Sequence, residues 1–119
     1  MRYMLLIYSR EGCMTDAERT ACMVESLRVC DELRARGQFL DAAPLHPVAT
    51  ATCVRVRDGR RVITDGPFAE TPEVLGGYYL ILAEDRATAL RIAAQHPGAR
   101  VGAVEVRPLF DLSGLRKSP

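Results

Sequence analysis

The stretch YMLLIY, from Tyr3 to Tyr8, decides the fold of this chain. It is a continuous apolar run of strand length that leads into a predicted helix. The run YLIL, from Tyr79 to Leu82, echoes it and leads into a second predicted helix. Two such strand–helix–strand halves predict an α+β fold of the ferredoxin-like βαββαβ class, in which an antiparallel sheet carries both helices on one face.

The capping residues predict where each helix begins and ends. Thr15 and Glu18 match a capping box, in which each side chain accepts the backbone amide of the other residue. The first helix should run from there to the residue before Gly37, which is expected in the left-handed conformation beyond the last turn. Asp85 should cap the second helix, which is expected to end before Pro97.

An extra hairpin is predicted at residues 52–64, because Asp58-Gly59 is typical of a type I′ turn between two β-branched runs. The segment DGPF follows it and is predicted to be a turn at the rim of a cleft. We expect Asp65 to accept a backbone amide there. We expect Phe68 to be largely buried, because an exposed ring forgoes about 1.5–3 kcal/mol of transfer free energy. Further strands are predicted at residues 38–43, 77–82 and 101–107.

The first strand is apolar at both sets of alternating positions, so both of its faces should be covered. The two helices cover only one face of the sheet. The simplest cover for the other face is a second copy of the sheet, packed about a two-fold axis. We therefore expect a homodimer whose sheets enclose a cleft, with Tyr8 on the cleft side.

Composition narrows the range of partners. The 119 residues carry 16 Lys and Arg against 15 Asp and Glu, so no general field attracts nucleic acid or an anionic membrane surface. No apolar run approaches the ~20 residues of a membrane span, and no cleavage site follows the apolar start, which predicts a cytoplasmic protein. The four cysteines form no C-x-x-C pair and both histidines precede proline, so we expect no metal site and no cofactor.

Two residues of the predicted helix and hairpin are candidate ligand contacts. Ser26 lies at the centre of the apolar stripe of the first helix. Its hydroxyl either bonds back to the carbonyl four residues earlier or faces a pocket between helix and sheet. Arg55 projects towards the cleft if its apolar neighbours face the helices, and it would then bind a carboxylate or an enolate; otherwise it is solvated. Those neighbours are Val54, Val56 and Ile63.

Three residues are candidates for acid–base chemistry or for charge. His46 is a loop histidine beyond a strand end, where it either serves as a general base near neutral pH or is simply exposed. Asp65 is first a turn residue and second a candidate acid or base. His96 ends a helix, where a positive charge favours the helix dipole, and we interpret it as structural. No Ser-His-Asp order or phosphate-binding glycine loop is present in the sequence.

The run DGPFAET at residues 65–71 and the GGYY that follows resemble the DGPF branch of the YCII-related proteins. The opening strand, the hairpin and the closing VEVRP at residues 104–108 match as well. The resemblance covers residues 1–110 and leaves residues 111–119 as a C-terminal tail. It implies a dimeric α/β barrel built from ferredoxin-like subunits, a fold whose members include small isomerases, dehydrohalogenases and cofactor-free oxygenases acting on small cyclic compounds.

The resemblance also implies a small-molecule-binding protein. One hypothesis is a cofactor-independent isomerase or lyase that moves a proton on a small anionic or carbonyl compound. The other is a non-catalytic accessory module that partners an extracytoplasmic-function sigma factor. Classical YCII proteins carry a candidate catalytic histidine in the first helix, and counting back from Gly37 places that position at Ser26. Because serine is no base near neutral pH, His46 or Asp65 would supply the base. The candidate ligand contacts are Arg55, Ser26, Tyr8 and Phe68.

Overall fold

The computed structural model describes residues 1–116, which form six strands and three helices. Strands β1 to β6 span Arg2–Ser9, Phe39–Pro44, Thr52–Arg57, Arg60–Asp65, Val74–Leu82 and Ala103–Pro108. Helices α1 to α3 span Asp16–Ala35, Arg86–Gln95 and Gly98–Val101. Two 3-10 turns lie at Val48–Thr50 and Ser113–Leu115. The end of the predicted C-terminal tail, residues 117–119, lies outside the described residues.

Four strands form one antiparallel sheet in the order β2-β5-β1-β6, so the two central strands are the two apolar runs that open the two halves of the chain. This order and the two βαβ halves confirm the predicted ferredoxin-like α+β fold. None of the helices among residues 1–116 is long and apolar enough to cross a bilayer.

The core lies between the helices and the inner face of this sheet. Leu5 from β1 and Ile81 from β5 are fully buried, and Leu33 from the last turns of α1 packs with them. Full burial of each of these side chains stabilises the fold by about 1.5–3 kcal/mol. The buried residues of α1 all lie in its C-terminal half, so the N-terminal half of this helix is not part of the packed core.

The predicted capping and turn residues are confirmed. Thr15 and Glu18 form the reciprocal capping box, with hydrogen bonds of 2.9 and 3.1 Å. Gly37 follows α1 with φ of 71°. The turn of the hairpin has positive φ at both Asp58 and Gly59, 51° and 73°, as a type I′ turn requires. The short helix α3 is not predicted from the sequence, and because of it the last strand begins at Ala103 instead of residue 101.

The hairpin of β3 and β4 departs from the prediction. It forms a separate two-stranded sheet and makes no ladder with the four-stranded sheet. Val54, Val56 and Ile63 are 60%, 61% and 57% exposed, so they are not packed under the helices and the condition for Arg55 to project into the cleft is not met within the single chain. Without a strand pairing to place it over the core, the hairpin leaves these apolar side chains exposed among residues 1–116.

The DGPF turn also differs from the prediction. Phe68 is 79% exposed, so the expected burial is wrong within the single chain; the ring contacts the Arg55 guanidinium at 5.4 Å. The carboxylate of Asp65 accepts no hydrogen bond from residues 1–116. The turn is held instead by the Gly66 amide, which donates to the carbonyl of Ala51 at 2.8 Å. Gly66 has φ of 104°, which explains the glycine at this position.

Candidate functional site

A cavity of about 660 Å³ lies between the N-terminal half of α1 and the inner face of the sheet. The sheet residues beneath it are small: Ala42 and Gly77 are on the inner face, beside Tyr79. A Cβ at Gly77 would lie 3.0 Å from the carbonyl oxygen of Ala43, so glycine also lets β2 approach β5 closely here. Small side chains below the unpacked half of the helix therefore leave the space that forms the pocket.

Three polar side chains from different elements meet at the inner end of this pocket. The Ser26 hydroxyl of α1 lies 2.5 Å from the Tyr79 hydroxyl of β5 and 3.1 Å from His96 Nε2, at the end of α2. The Tyr79 hydroxyl donates to the Ser26 backbone carbonyl at 2.5 Å, and the Cys30 thiol donates to the Tyr79 oxygen at 3.3 Å. We call Ser26, Tyr79 and His96 the polar floor of the pocket.

Local structure fixes each of the three floor residues. Ser26 lies in the middle of α1, one turn before Cys30 on the same helix face. Tyr79 is buried on the inner face of β5. His96 caps α2, and its Nδ1 accepts the amide of Gly98 at 2.9 Å. A Cβ at Gly98 would lie 2.9 Å from that nitrogen, so a side chain there would displace the imidazole.

Burial keeps the polar floor neutral. Desolvation raises the pKa of the Tyr79 hydroxyl above its ordinary 10.0, and the hydrogen bond from Cys30 acts in the same direction. Desolvation lowers the pKa of His96 from 6.5 to about 4; Glu25 opposes this shift and Arg100 adds to it. Both groups are therefore uncharged near neutral pH.

The structure separates the candidate residues proposed from sequence. Ser26 faces the pocket, as one of its two alternatives predicted, and its hydroxyl bonds to Tyr79 and His96 rather than back along the helix. His46 lines the same pocket from the loop after β2. The remaining candidates lie elsewhere: Arg55, Asp65 and Phe68 belong to the hairpin and its turn, and Tyr8 is on the outer sheet face, bonded to Glu105 at 3.3 Å.

Sequence reasoning missed two of the three floor residues. The sequence indicates Tyr79 only as part of an apolar run, and it predicts a charged helix end at His96, whereas His96 is 7% exposed and neutral. The available signal was that His96 is followed by Pro97 and Gly98, which turn the chain back towards β1. Among residues 1–116, no three His, Cys, Asp or Glu side chains come together in a group that could hold a metal ion.

Comparison with known proteins gives a family and a structural neighbour. The profile of the YCII-related domain matches residues 1–113. An uncharacterized protein of Rhizobium meliloti (strain 1021) is 35% identical over 118 residues, which cover 92% of each chain. The 5-chloro-2-hydroxyhydroquinone dehydrochlorinase of Burkholderia phenoliruptrix AC1100, in complex with 2,5-dihydroxybenzoquinone, superposes with a TM-score of 0.55 at 13% identity, over 92% of this chain and 94% of that one. The similarity to the dehydrochlorinase structure shows the fold alone. Assignment to the DGPF branch stays a prediction.

Proposed function

The chain belongs to the YCII-related domain family, and we propose that it binds a small ring compound bearing a carbonyl or hydroxyl group in the pocket beneath α1. The observation that carries the proposal is the polar floor at the inner end of an otherwise largely apolar cavity. A few convergent polar groups orient a ligand, while apolar walls provide the contact area. Here the walls come from side chains such as Ile7, Met14 and Met23.

The size of the pocket supports a small ligand. Its volume of about 660 Å³ lies within the ~300–1,000 Å³ of small-molecule sites, so it has room for a single substituted ring. The structural neighbour, a dehydrochlorinase, was captured with such a ring compound, 2,5-dihydroxybenzoquinone. The same fold therefore supports a site for molecules of this class, although its sequence is only 13% identical.

We assign a proton-transfer reaction to this site, of the isomerase or lyase type. His46 would take a proton from the carbon next to the ligand carbonyl, and the electron pair would move onto the carbonyl oxygen. The Ser26 hydroxyl would donate to that oxygen as its negative charge grows. Return of the proton to another carbon completes an isomerisation, and loss of a leaving group with its electron pair completes an elimination. Asp65 lies on the hairpin and has no part in this step.

Titration with a ring ketone tests the proposal. Acetophenone should bind the protein in calorimetry, and Ser26→Ala should weaken it about fivefold by removing one hydrogen bond. His46→Gln should preserve binding but slow the exchange of the methyl protons of acetophenone for deuterium, measured by NMR in heavy water. Arg55→Gln, on the hairpin, is the control and should change neither quantity. If Ser26→Ala and Arg55→Gln lost affinity for acetophenone equally, the binding site would lie outside the pocket.

We also propose that the chain forms a homodimer through the outer face of its sheet. Met4, Leu6 and Leu80 lie on this face and are only half-buried in the single chain. The hairpin adds further exposed apolar surface, including Val62 at 44% and Ile63 at 57% exposure. Monomeric proteins rarely expose large apolar patches, and an isolated two-stranded hairpin is marginal, so both features favour a second copy as the cover.

Light scattering tests the dimer. The wild-type chain should have the mass of two 13.1 kDa chains at micromolar concentration. Leu80→Asp should shift it to a monomer by placing a charge in the apolar interface, whereas Leu90→Asp, on the outer side of α2, should leave the mass unchanged. A stable wild-type monomer would remove the dimer proposal and would favour the accessory-module hypothesis, because the exposed hairpin would then be free to bind another protein.

A further inference from the structure

His96 is a buried polar residue for which the proposed proton transfer has no role. Its Nδ1 accepts the backbone amide of Gly98 at 2.9 Å. A neutral imidazole carries a single proton, so a ring whose Nδ1 is an acceptor carries that proton on Nε2. The hydrogen bond from Gly98 therefore selects the tautomer of His96.

This tautomer fixes the direction of the next hydrogen bond. Nε2 lies 3.1 Å from the Ser26 hydroxyl oxygen, so the imidazole donates and the serine accepts. The pair differs in this respect from a serine nucleophile and its base, in which the imidazole accepts the proton of the hydroxyl. The Tyr79 proton goes to the Ser26 carbonyl, so Ser26 donates its own proton to the Tyr79 oxygen at 2.5 Å. A hydroxyl that already accepts one hydrogen bond becomes a stronger donor of the next.

The surroundings of His96 leave the polar floor without a formal charge. Glu25 of α1 and Arg100 of α3 are the charged groups that influence the imidazole, and they bind each other at 2.8 Å. Tyr79 of β5 meets the ring edge-on, with 4.8 Å between ring centroids, and its hydroxyl is neutral near pH 7. The charged residues that line the pocket are exposed side chains: Arg10, Glu11, Asp16 and Arg19.

We infer that His96 is a positioning residue that holds Ser26 as a hydrogen-bond donor, so that the pocket takes an uncharged carbonyl or phenol oxygen in preference to a carboxylate. The inference rests on the proposed function and names the ligand class of the same site. At the polar floor a carboxylate would exchange its hydration for a neutral donor, with no positive charge among the floor residues, whereas a carbonyl oxygen loses less hydration. When Ser26 turns its proton to a ligand, the Tyr79 oxygen keeps the Cys30 thiol as a donor, at 3.3 Å.

Acetophenone and benzoate form the test pair, because they differ by a methyl group in place of a carboxylate oxygen on the same ring. Near pH 7, acetophenone should bind at least about tenfold more tightly than benzoate. His96→Leu should weaken the binding of acetophenone about fivefold and leave the binding of benzoate unchanged, because the substitution removes the N–H that orients Ser26. His96→Gln, which can still donate an N–H, should recover part of the loss. Gln95→Leu, at the exposed neighbouring position, is the control and should change neither affinity.

The tautomer is tested separately by the ¹⁵N NMR spectrum of the His96 ring. Nε2 should be protonated and Nδ1 unprotonated at both about pH 6 and about pH 8, which supports the inference even if His96→Leu does not fold. A proton on Nδ1 would overturn it. Benzoate binding as tightly as acetophenone would overturn the inference and leave the proposed function standing, while failure of both ring compounds to bind would overturn both.

Discussion

Lowering the pH from about 7.5 to about 5 is expected to reduce the free energy of unfolding by about 2 kcal/mol through His96 alone. The folded protein holds the pKa of this imidazole at about 4, below its ordinary 6.5, because burial disfavours the charged form. Between these values the unfolded chain binds a proton that the folded chain excludes. The contribution of His96 to the free energy of unfolding is therefore fully present above the pKa of the unfolded chain. It is lost progressively as the pH falls towards the pKa of the folded protein.

Chemical denaturation across this pH range, with the His96→Leu variant beside the wild type, measures the effect. The variant should lose most of the pH dependence, and His46→Gln should retain it, because the His46 imidazole is exposed. The carboxyls of Glu18 and Asp85 accept backbone amides that lower their pKa, so their contribution to stability is lost only at lower pH than this range. If the wild-type protein were equally stable at both ends of this pH range, His96 would not be held neutral in the folded protein.

Gly102→Ala is expected to destabilise the protein by about 3 kcal/mol, the upper part of the range for overpacked sites. A Cβ at this position would lie 2.0 Å from the carbonyl oxygen of Tyr8 and 3.0 Å from the Cα of Ser9. Both obstacles are backbone atoms of a central strand, so relief requires β1 or the start of β6 to move. The pairing of Tyr8 with Ala103 would be disturbed first.

Gly76→Ala is the matched control, because its added Cβ would meet a single atom, the Ile7 carbonyl oxygen, at an ordinary 3.8 Å. Its stability should stay within about 0.5 kcal/mol of the parent in the same denaturation experiment. Equal stability of the two alanine variants would mean that Gly102, between α3 and β6, does not pack closely against the backbone of β1.

Features that depend on neighbours in sequence could be predicted from sequence. The capping box of Thr15 and Glu18 spans three residues, and the Asp58-Gly59 turn depends on two adjacent residues that tolerate positive φ. The apolar runs at Tyr3–Tyr8 and Tyr79–Leu82 identified the two central strands, because a short continuous apolar run is typical of a buried strand. The ferredoxin-like class followed from the order of these elements.

Features that depend on distant residues could not be predicted in the same way. Phe68 is apolar, yet whether a ring is buried depends on what the rest of the fold brings over it, and the ring stays 79% exposed beside the separate hairpin. Ser26 could be identified as an unusual polar residue in an apolar stripe. Its partners could not, because Tyr79 and His96 are 53 and 70 residues away along the chain.

A crystal structure of the protein soaked with acetophenone tests the claim that the ligand site lies beneath α1 and not on the outer face of the sheet. We expect the ring between α1 and the inner sheet face, with its carbonyl oxygen within hydrogen-bond distance of the Ser26 hydroxyl. A ring bound instead against Tyr8 on the outer face, or beside Arg55 and Phe68 on the hairpin, would contradict it.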